Sequence, residues 1–197
     1  IADPHEGSRQ AARQACADRF SPHCYEHYED LLARDDVDAV VIATPNYTHH
    51  SVMSAVFQTD KHVLLEKPLA TTMADCNALV AQARRHRGLV WVALEYRYMA
   101  PIAKTLELLP HLGAIHMCAI REHRFPFLHK VGAWNRFNRY SGGTLVEKCC
   151  HFFDLMNLMV PSKPQRVMAS GGQNVNHLQE RYDGEVPDIL DNAYVNV

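Results

Sequence analysis

Long apolar runs are missing from this sequence. Hydrophobic residues fill 47% of its 197 positions, yet no stretch approaches the roughly twenty consecutive residues of a membrane-spanning helix. No membrane partner is therefore expected, and the composition is that of a globular chain long enough to bury a sizeable core. A charge excess is missing too: 20 Lys and Arg face 22 Asp and Glu, for a net charge of −2. That leaves no basic footprint for nucleic acid. The six cysteines, Cys16, Cys24, Cys76, Cys118, Cys149 and Cys150, follow neither metal-finger nor disulfide-framework spacing, which suits a reducing cytoplasm. No repeat, low-complexity tract or signal-peptide pattern is visible. There is no initiator Met either. Ile1-Ala2-Asp3-Pro4 reads as the end of a strand, and Asp191 to Val197 as an alternating strand cut short, so an internal fragment of a longer protein is expected.

What is present centres on Val37 to Pro68. Ala39 to Ala43 is a continuous apolar run stopped by Thr44-Pro45, the pattern of a strand buried on both faces. Ser51 to Gln58 carries Val52, Ala55 and Val56 at helical spacing, and Val63 to Leu65 is a second apolar run ending in Glu66-Lys67-Pro68. Strand, crossover and strand make a βαβ unit with parallel strands. Val90 to Leu94 adds a third run, ending in Glu95-Tyr96-Arg97-Tyr98. Open parallel sheets bind ligands outside the carboxyl ends of their strands. Thr44, Pro45, Asn46, Glu66, Lys67 and Tyr96 are thereby delivered to one edge.

Asp3 follows the opening strand remnant, where an acidic residue of a nucleotide-binding sheet meets the adenosine ribose, or where an Asp before Pro4 serves as a cap or turn. Ser8 to Phe20 reads as an Ala-rich helix with Ala11, Ala12 and Ala15 free for close packing, and Tyr28 to Arg34 as a shorter helix. Thr72 and Asp75 start another helix in capping-box fashion, with Cys76, Leu79, Val80 and Ala83 on its apolar face. Pro101 opens a helix whose Ile102, Leu106 and Leu109 face inward. From Ala114 to Phe127 the alternation is that of a long strand with one open face, and Arg166 to Ser170 and Asn192 to Val197 read as further strands. The expected fold class is α/β: a Rossmann-type parallel sheet truncated at its N-terminal side, over residues 1–99, then an α+β part with a mostly antiparallel, truncated sheet over 100–197.

Thr144 to Met159 reads as one helix, apolar around most of its circumference. Its exceptions, Glu147, His151 and Asp154, stand at i, i+4 and i+7, within an arc of roughly 60°. Buried ionisable groups are costly unless paired or functional. Glu147 is placed to hold the His151 ring and set its basicity. A solvent-facing stripe is the plainer alternative, and a metal site lacks a third ligand, so no metal is expected. Cys149 and Cys150 read as buried apolar thiols. Lys67, between Glu66 and Pro68 at a strand end, reads as functional rather than as an ordinary surface lysine.

Together these residues resemble the glucose-fructose oxidoreductase, inositol dehydrogenase and rhizopine-catabolism (Gfo/Idh/MocA) family of NAD(P)-dependent oxidoreductases. The likeness rests on Val37 to His49, Lys61 to Ala70, Arg97 to Pro101 and Gly142 to Leu155, and spans essentially the whole chain. The resemblance implies a Rossmann domain followed by a substrate and oligomerisation domain, and an enzyme acting on a secondary alcohol or ketone of a sugar or polyol. It implies Lys67 as the catalytic lysine, reaching both the substrate hydroxyl and the nicotinamide ribose of the cofactor, His151 as general acid/base, Glu147 where many members have Asp, and Asp154 in substrate binding. Thr44, Pro45, Asn46, His49 and Glu66 would line the dinucleotide, and Arg97, Trp134 and Arg136 would border nicotinamide and substrate. Tyr96 joins Lys67, His151 and Asp154 among the substrate-binding residues. The Gly-rich phosphate loop is expected just before Ile1, and the rest of the second sheet beyond Val197. Asp3 would repel a 2′-phosphate and favours NAD, while Arg9 nearby keeps NADP open.

Two other readings accompany the cytoplasmic, homo-oligomeric sugar or polyol dehydrogenase. One is an NAD-dependent glycoside hydrolase, which recycles its cofactor. The other is a non-catalytic dinucleotide sensor, whose mark would be loss of Lys67 or His151; both are present.

Overall fold

The computed structural model describes residues 1–197. In chain order its helices are α1 (Glu6–Cys16), α2 (Tyr28–Leu32), α3 (His49–Val56), α4 (Met73–Ala83), α5 (Ala100–Leu108), α6 (Asn138–Ser141), α7 (Thr144–Glu147) and α8 (Cys150–Met159). Its strands are β1 (Ala39–Ile42), β2 (His62–Glu66), β3 (Val90–Ala93), β4 (Met168–Gly172) and β5 (Asn192–Asn196). Single 3-10 turns follow β1 at Asn46–Thr48 and β3 at Glu95–Tyr98. No helix is long and apolar enough to cross a membrane.

β1, β2 and β3 form a parallel sheet in that order, with Ile42 beside Leu65 and Glu66 beside Ala93. Both crossovers are helical, α3 and α4, as the sequence pattern requires. Thr72 Oγ1 accepts the Asp75 N–H at 3.1 Å and starts α4. The inward face of the sheet carries Val40, Ile42, Val63 and Leu65, packed with Val52, Met53 and Val56 of α3 and Leu79 of α4. Tyr28, Leu31 and Leu32 of α2 close this core.

Several expectations are corrected here. β1 is buried on one face only: Val41, Leu64 and Trp91 lie in register on the other face, and Val41 is 71% exposed. The covering helices α2, α3 and α4 all contribute to the core on the opposite face. Helix α1 has no buried residue, and Ala11 and Ala15 are exposed rather than closely packed. Val80 on α4 is likewise exposed. In α5 the face is as expected, with Ile102 and Leu106 half-buried.

The expected strand from Ala114 to Phe127 does not form. Those residues form neither helix nor strand, no strand pairs with them, and Met117 and Phe125 stand exposed. A pleated pattern becomes a strand only when a neighbour takes its backbone groups. β4 and β5 do pair, antiparallel, from Met168 beside Asn196 to Gly172 beside Asn192. The opening residues also behave as a strand end: Ala2 bridges Tyr25 in parallel, with Tyr25 N–H donating to Ile1 O at 2.9 Å.

Candidate active site

The carboxyl ends of β1, β2 and β3 meet α7 and α8. Asn46, just beyond β1, is buried and donates one side-chain N–H to Ser141 O at 3.0 Å and the other to the Glu147 carboxylate. Lys67, just beyond β2, reaches the same residue. Its Nζ donates to the Glu147 carbonyl at 2.8 Å and lies 3.5 Å from Oε1. Lys130 completes the surroundings, 3.5 Å from Glu147 Oε1 and 4.6 Å above the Trp134 ring. Glu147 is a nearly buried carboxylate, and this set of one amide and two ammonium groups compensates its loss of water.

The segment Thr144–Met159 is two helices, not one. Its start is set by Gly142 and Gly143, both at φ +79°, where side chains with a Cβ are strained. It breaks at Lys148 and Cys149. The cause lies outside the segment: Lys67 takes the Glu147 carbonyl that an unbroken helix would offer to the N–H of residue 151. Lys148 is drawn sideways instead, donating to Tyr96 Oη and lying 3.4 Å from Glu122.

His151 is therefore not held by Glu147. Its Nε2 lies 3.4 Å from Glu95 Oε1, and Tyr96 stacks on it with centroids 4.2 Å apart and planes 10° apart. The ring is 2% exposed, and its Nδ1 has no hydrogen-bond partner in the chain. Burial pushes its pKa below the ordinary histidine value, against the attraction of Glu95, with Lys67 and Lys148 adding to the lowering. It is a neutral imidazole at pH 7 with one buried ring nitrogen unpartnered.

The third exception of the stripe is occupied as well. Asp154 accepts from Arg97 Nε at 2.6 Å and from Nη2, a two-point ion pair tying the end of β3 to α8. His49 is fully buried, with Nδ1 2.7 Å from Pro68 O and Nε2 3.1 Å from Thr44 O. It links the loops after β1 and β2 rather than presenting itself to a ligand. Thr44 accepts from Thr48 Oγ1 at 2.7 Å, while Pro45 is half-buried and Glu66 exposed at the edge. Asp3 caps a turn, accepting His5 N–H at 2.8 Å, and Arg9 donates to its carbonyl at 2.5 Å.

Arg136 is not brought to this cluster. It is buried and donates from Nε to Glu180 at 2.7 Å; Glu180 also pairs with His177 at 2.7 Å and accepts from Tyr182 at 2.9 Å. Burial opposes ionisation there, but the bonds from His177, Arg136 and Tyr182 outweigh it and hold Glu180 down at about 2. This network anchors the Val131–Arg136 turn, and with it Trp134 beneath Lys130. The residues that sequence reasoning missed are Lys130, Lys148, Glu122 and Glu180. Only Lys148 left a signal, as a lysine inside an apolar stretch.

Two family models match most of the chain: an oxidoreductase family with an NAD-binding Rossmann fold over residues 2–94, and the C-terminal alpha/beta domain of the same Gfo/Idh/MocA family over residues 108–197. The chain belongs to the Gfo/Idh/MocA oxidoreductases. Among curated relatives, a 2,7-anhydro-N-acetylneuraminate hydratase of Mediterraneibacter gnavus is 26% identical over 96% of this chain and 49% of its own length. A myo-inositol 2-dehydrogenase of Thermotoga maritima is 24% identical over 75% of this chain and 43% of its own. The chain thus spans about half the length of the curated relatives it matches. The WlbA dehydrogenase of Bordetella pertussis, solved with NADH and UDP-GlcNAcA, shares the fold at a TM-score of 0.75, with 22% identity, over 99% of this chain and 57% of its own.

The residues at the strand ends fit the dinucleotide that an NAD-binding Rossmann fold implies. An acid, Asp3, stands at the end of one parallel pairing, Thr44 lies just beyond β1, Glu66 ends β2, and the buried Nδ1 of His151 has no partner in the chain. The cysteines beside it are thiols: burial pushes Cys150 up to about 11, and Cys149 rises for the same reason.

Proposed function

We propose that the protein transfers a hydride between NAD and a secondary alcohol or ketone of a sugar or polyol, with residues 1–99 as the dinucleotide domain and 100–197 as part of the substrate domain. The observation that carries this reading is the neutral, buried His151, unpartnered at Nδ1, in one cluster with Lys67 around the strand ends. Bound NAD supplies a hydride acceptor at its nicotinamide. The chain's own groups do the rest. His151 accepts the hydroxyl proton, general-base assistance worth about 10²–10⁴ in rate. Lys67 donates to the oxygen as negative charge develops on it, while Glu147, its own carboxylate held by Asn46, keeps the ammonium in place. Asp3, Thr44, Pro45 and Glu66 line the dinucleotide. Asp3 favours NAD over NADP, since the Arg9 guanidinium is already tied to Glu6 at 3.0 Å and to the Asp3 carbonyl. Asp154, Arg97 and Tyr96 shape the substrate side. A homo-oligomer in the cytoplasm is the setting we propose.

A second reading is favoured by the hydratase among the relatives: the same groups serve a reaction without net redox change, in which NAD stays bound and is regenerated. One experiment separates the two. The intact protein is incubated with NAD or NADP and a panel of polyols, sugars and glycosides, following both reduced-nicotinamide absorbance and product. Stoichiometric NADH with a ketone product supports the dehydrogenase; product without net NADH supports the second reading. Absence of cofactor binding contradicts both.

A further inference from the structure

A neutral imidazole donates at one nitrogen and accepts at the other, and a carboxylate only accepts. Glu95 Oε1 is 3.4 Å from His151 Nε2. A carboxylate at that distance favours the hydrogen on the nitrogen facing it, which leaves the lone pair on Nδ1, the atom without a partner. The obvious alternative carboxylate, Glu147, is spent on Asn46, Lys67 and Lys130.

The ring plane is set separately. Tyr96, the residue after Glu95, stacks on His151 within 10° of parallel, and its hydroxyl accepts from Lys148. Lys148 is 14% exposed and lies 3.4 Å from Glu122. Two consecutive residues at the end of β3 thus govern the imidazole, one through charge and one through its face.

We propose that Glu95 is the positioning residue of His151: it fixes the Nε2–H tautomer, makes Nδ1 the basic atom, and neutralises the imidazolium formed in catalysis. This rests on the reading of His151 as base. The proton accounting is simple. The substrate O–H bond breaks, an N–H bond forms at Nδ1, and the charged ring faces Glu95 until product leaves and water takes the proton. No reactant beyond the NAD and alcohol already proposed is required. Glu95 is 58% exposed, so the carboxylate keeps its contact with water while the ring it serves is buried. The arrangement works as a carboxylate behind a catalytic imidazole does, with the carboxylate supplied from the sheet rather than from the helix of the histidine.

The groups bearing on the ring are Glu95 and Tyr96 from the end of β3, Lys67 from β2, Lys148 before α8, and Asp154 on α8. The two lysines disfavour its charge, and Glu95 and Asp154 favour it. Removing Glu95 lowers the His151 pKa further.

The test is a nitrogen-15 NMR titration of the imidazoles in the intact protein, without cofactor or substrate, for wild type, Glu95→Gln and Glu147→Gln. The expected result is an Nε2–H tautomer for His151 in wild type and in Glu147→Gln. In Glu95→Gln that preference is lost and the ring titrates at lower pH. An unchanged tautomer and titration in Glu95→Gln, or loss of the tautomer in Glu147→Gln alone, would overturn the proposal. On a substrate identified from the panel, Glu95→Gln lowers kcat between about ten- and a thousandfold with KM nearly constant, shifts the acid limb of the profile to lower pH, and is partly rescued by Glu95→Asp. A wild-type kcat and profile in Glu95→Gln would contradict it. The NMR arm needs no turnover, so failure of the dehydrogenase reading and failure of the Glu95 assignment give different results. Glu95 is exposed, and its amide variant keeps the fold.

Discussion

Asn46 donates to the carboxylate of Glu147, a residue 101 positions further along the chain. With the Lys67 contact it joins two strand ends of the parallel sheet to the helix pair that carries His151. The two sequence halves meet in a buried charge, and the stability of the site follows from how that charge is satisfied.

Asn46→Asp places a second carboxylate against Glu147 and removes the donor. Thermal or urea unfolding is expected to show a loss of about 2–4 kcal/mol, with Asn46→Ala losing less, about 1–3 kcal/mol. Equal stability of Asn46→Asp and wild type would mean that Glu147 is held by the lysines alone.

Gly143 sits at φ +79° and ψ 175°, a region open almost only to glycine, and an added Cβ would lie 2.1 Å from Asn138 Oδ1. That amide cannot swing freely, because its Nδ2 donates to Asp188 O at 2.8 Å. Gly143→Ala should cost about 2–3 kcal/mol and displace α7, lowering activity and unfolding temperature together. Retention of both would show that the turn has another accessible shape.

His49 and His151 are both held below the ordinary value of 6.5, burial being the largest cause in each. A folded-state pKa below the unfolded one means that the unfolded chain takes up more protons as pH falls. Their contribution is fully present above about pH 6.5 and is lost below it, by at most about 1.4 kcal/mol per histidine per pH unit. Urea midpoints are expected to drop from pH 7.5 to 5.5, and His49→Gln to flatten that slope. A midpoint that rises on acidification would reverse the assignment.

Arg97 binds Asp154 through two nitrogens. Arg97→Lys keeps the charge and loses the fork. With Arg97 41% exposed, the expected loss of stability is small, about 1 kcal/mol or less. The larger change is expected in KM, because the link between β3 and α8 loosens. Unaltered KM would place Asp154 away from the substrate.

The parallel sheet and its helices were legible because their signals are local: apolar runs stopped at Thr44-Pro45 and Lys67-Pro68, and a Thr72 cap three residues before Asp75. The candidate site residues Glu147, His151 and Asp154 stood out for the same reason, as polar exceptions in an apolar segment. Their pairing was not. The sequence spacing put Glu147 beneath His151, but Lys67, from 80 residues away, takes the Glu147 carbonyl and ends α7. Once the helix breaks, helical spacing no longer says which carboxylate faces the ring, and Glu95 does. Ala114 to Phe127 had the right alternation, yet a strand exists only beside another. Arg136 looked like a site residue by motif, and the residue that claims it, Glu180, lies 44 positions on without a local signature.

The most direct measurement of the central claim is the rate of NAD reduction by wild type, Lys67→Met and His151→Gln on one alcohol substrate of the intact protein, alongside NAD affinity by calorimetry. The account predicts turnover in wild type and losses of at least about a hundredfold in each variant, with His151→Gln still binding NAD. Turnover that survives in both variants would contradict it.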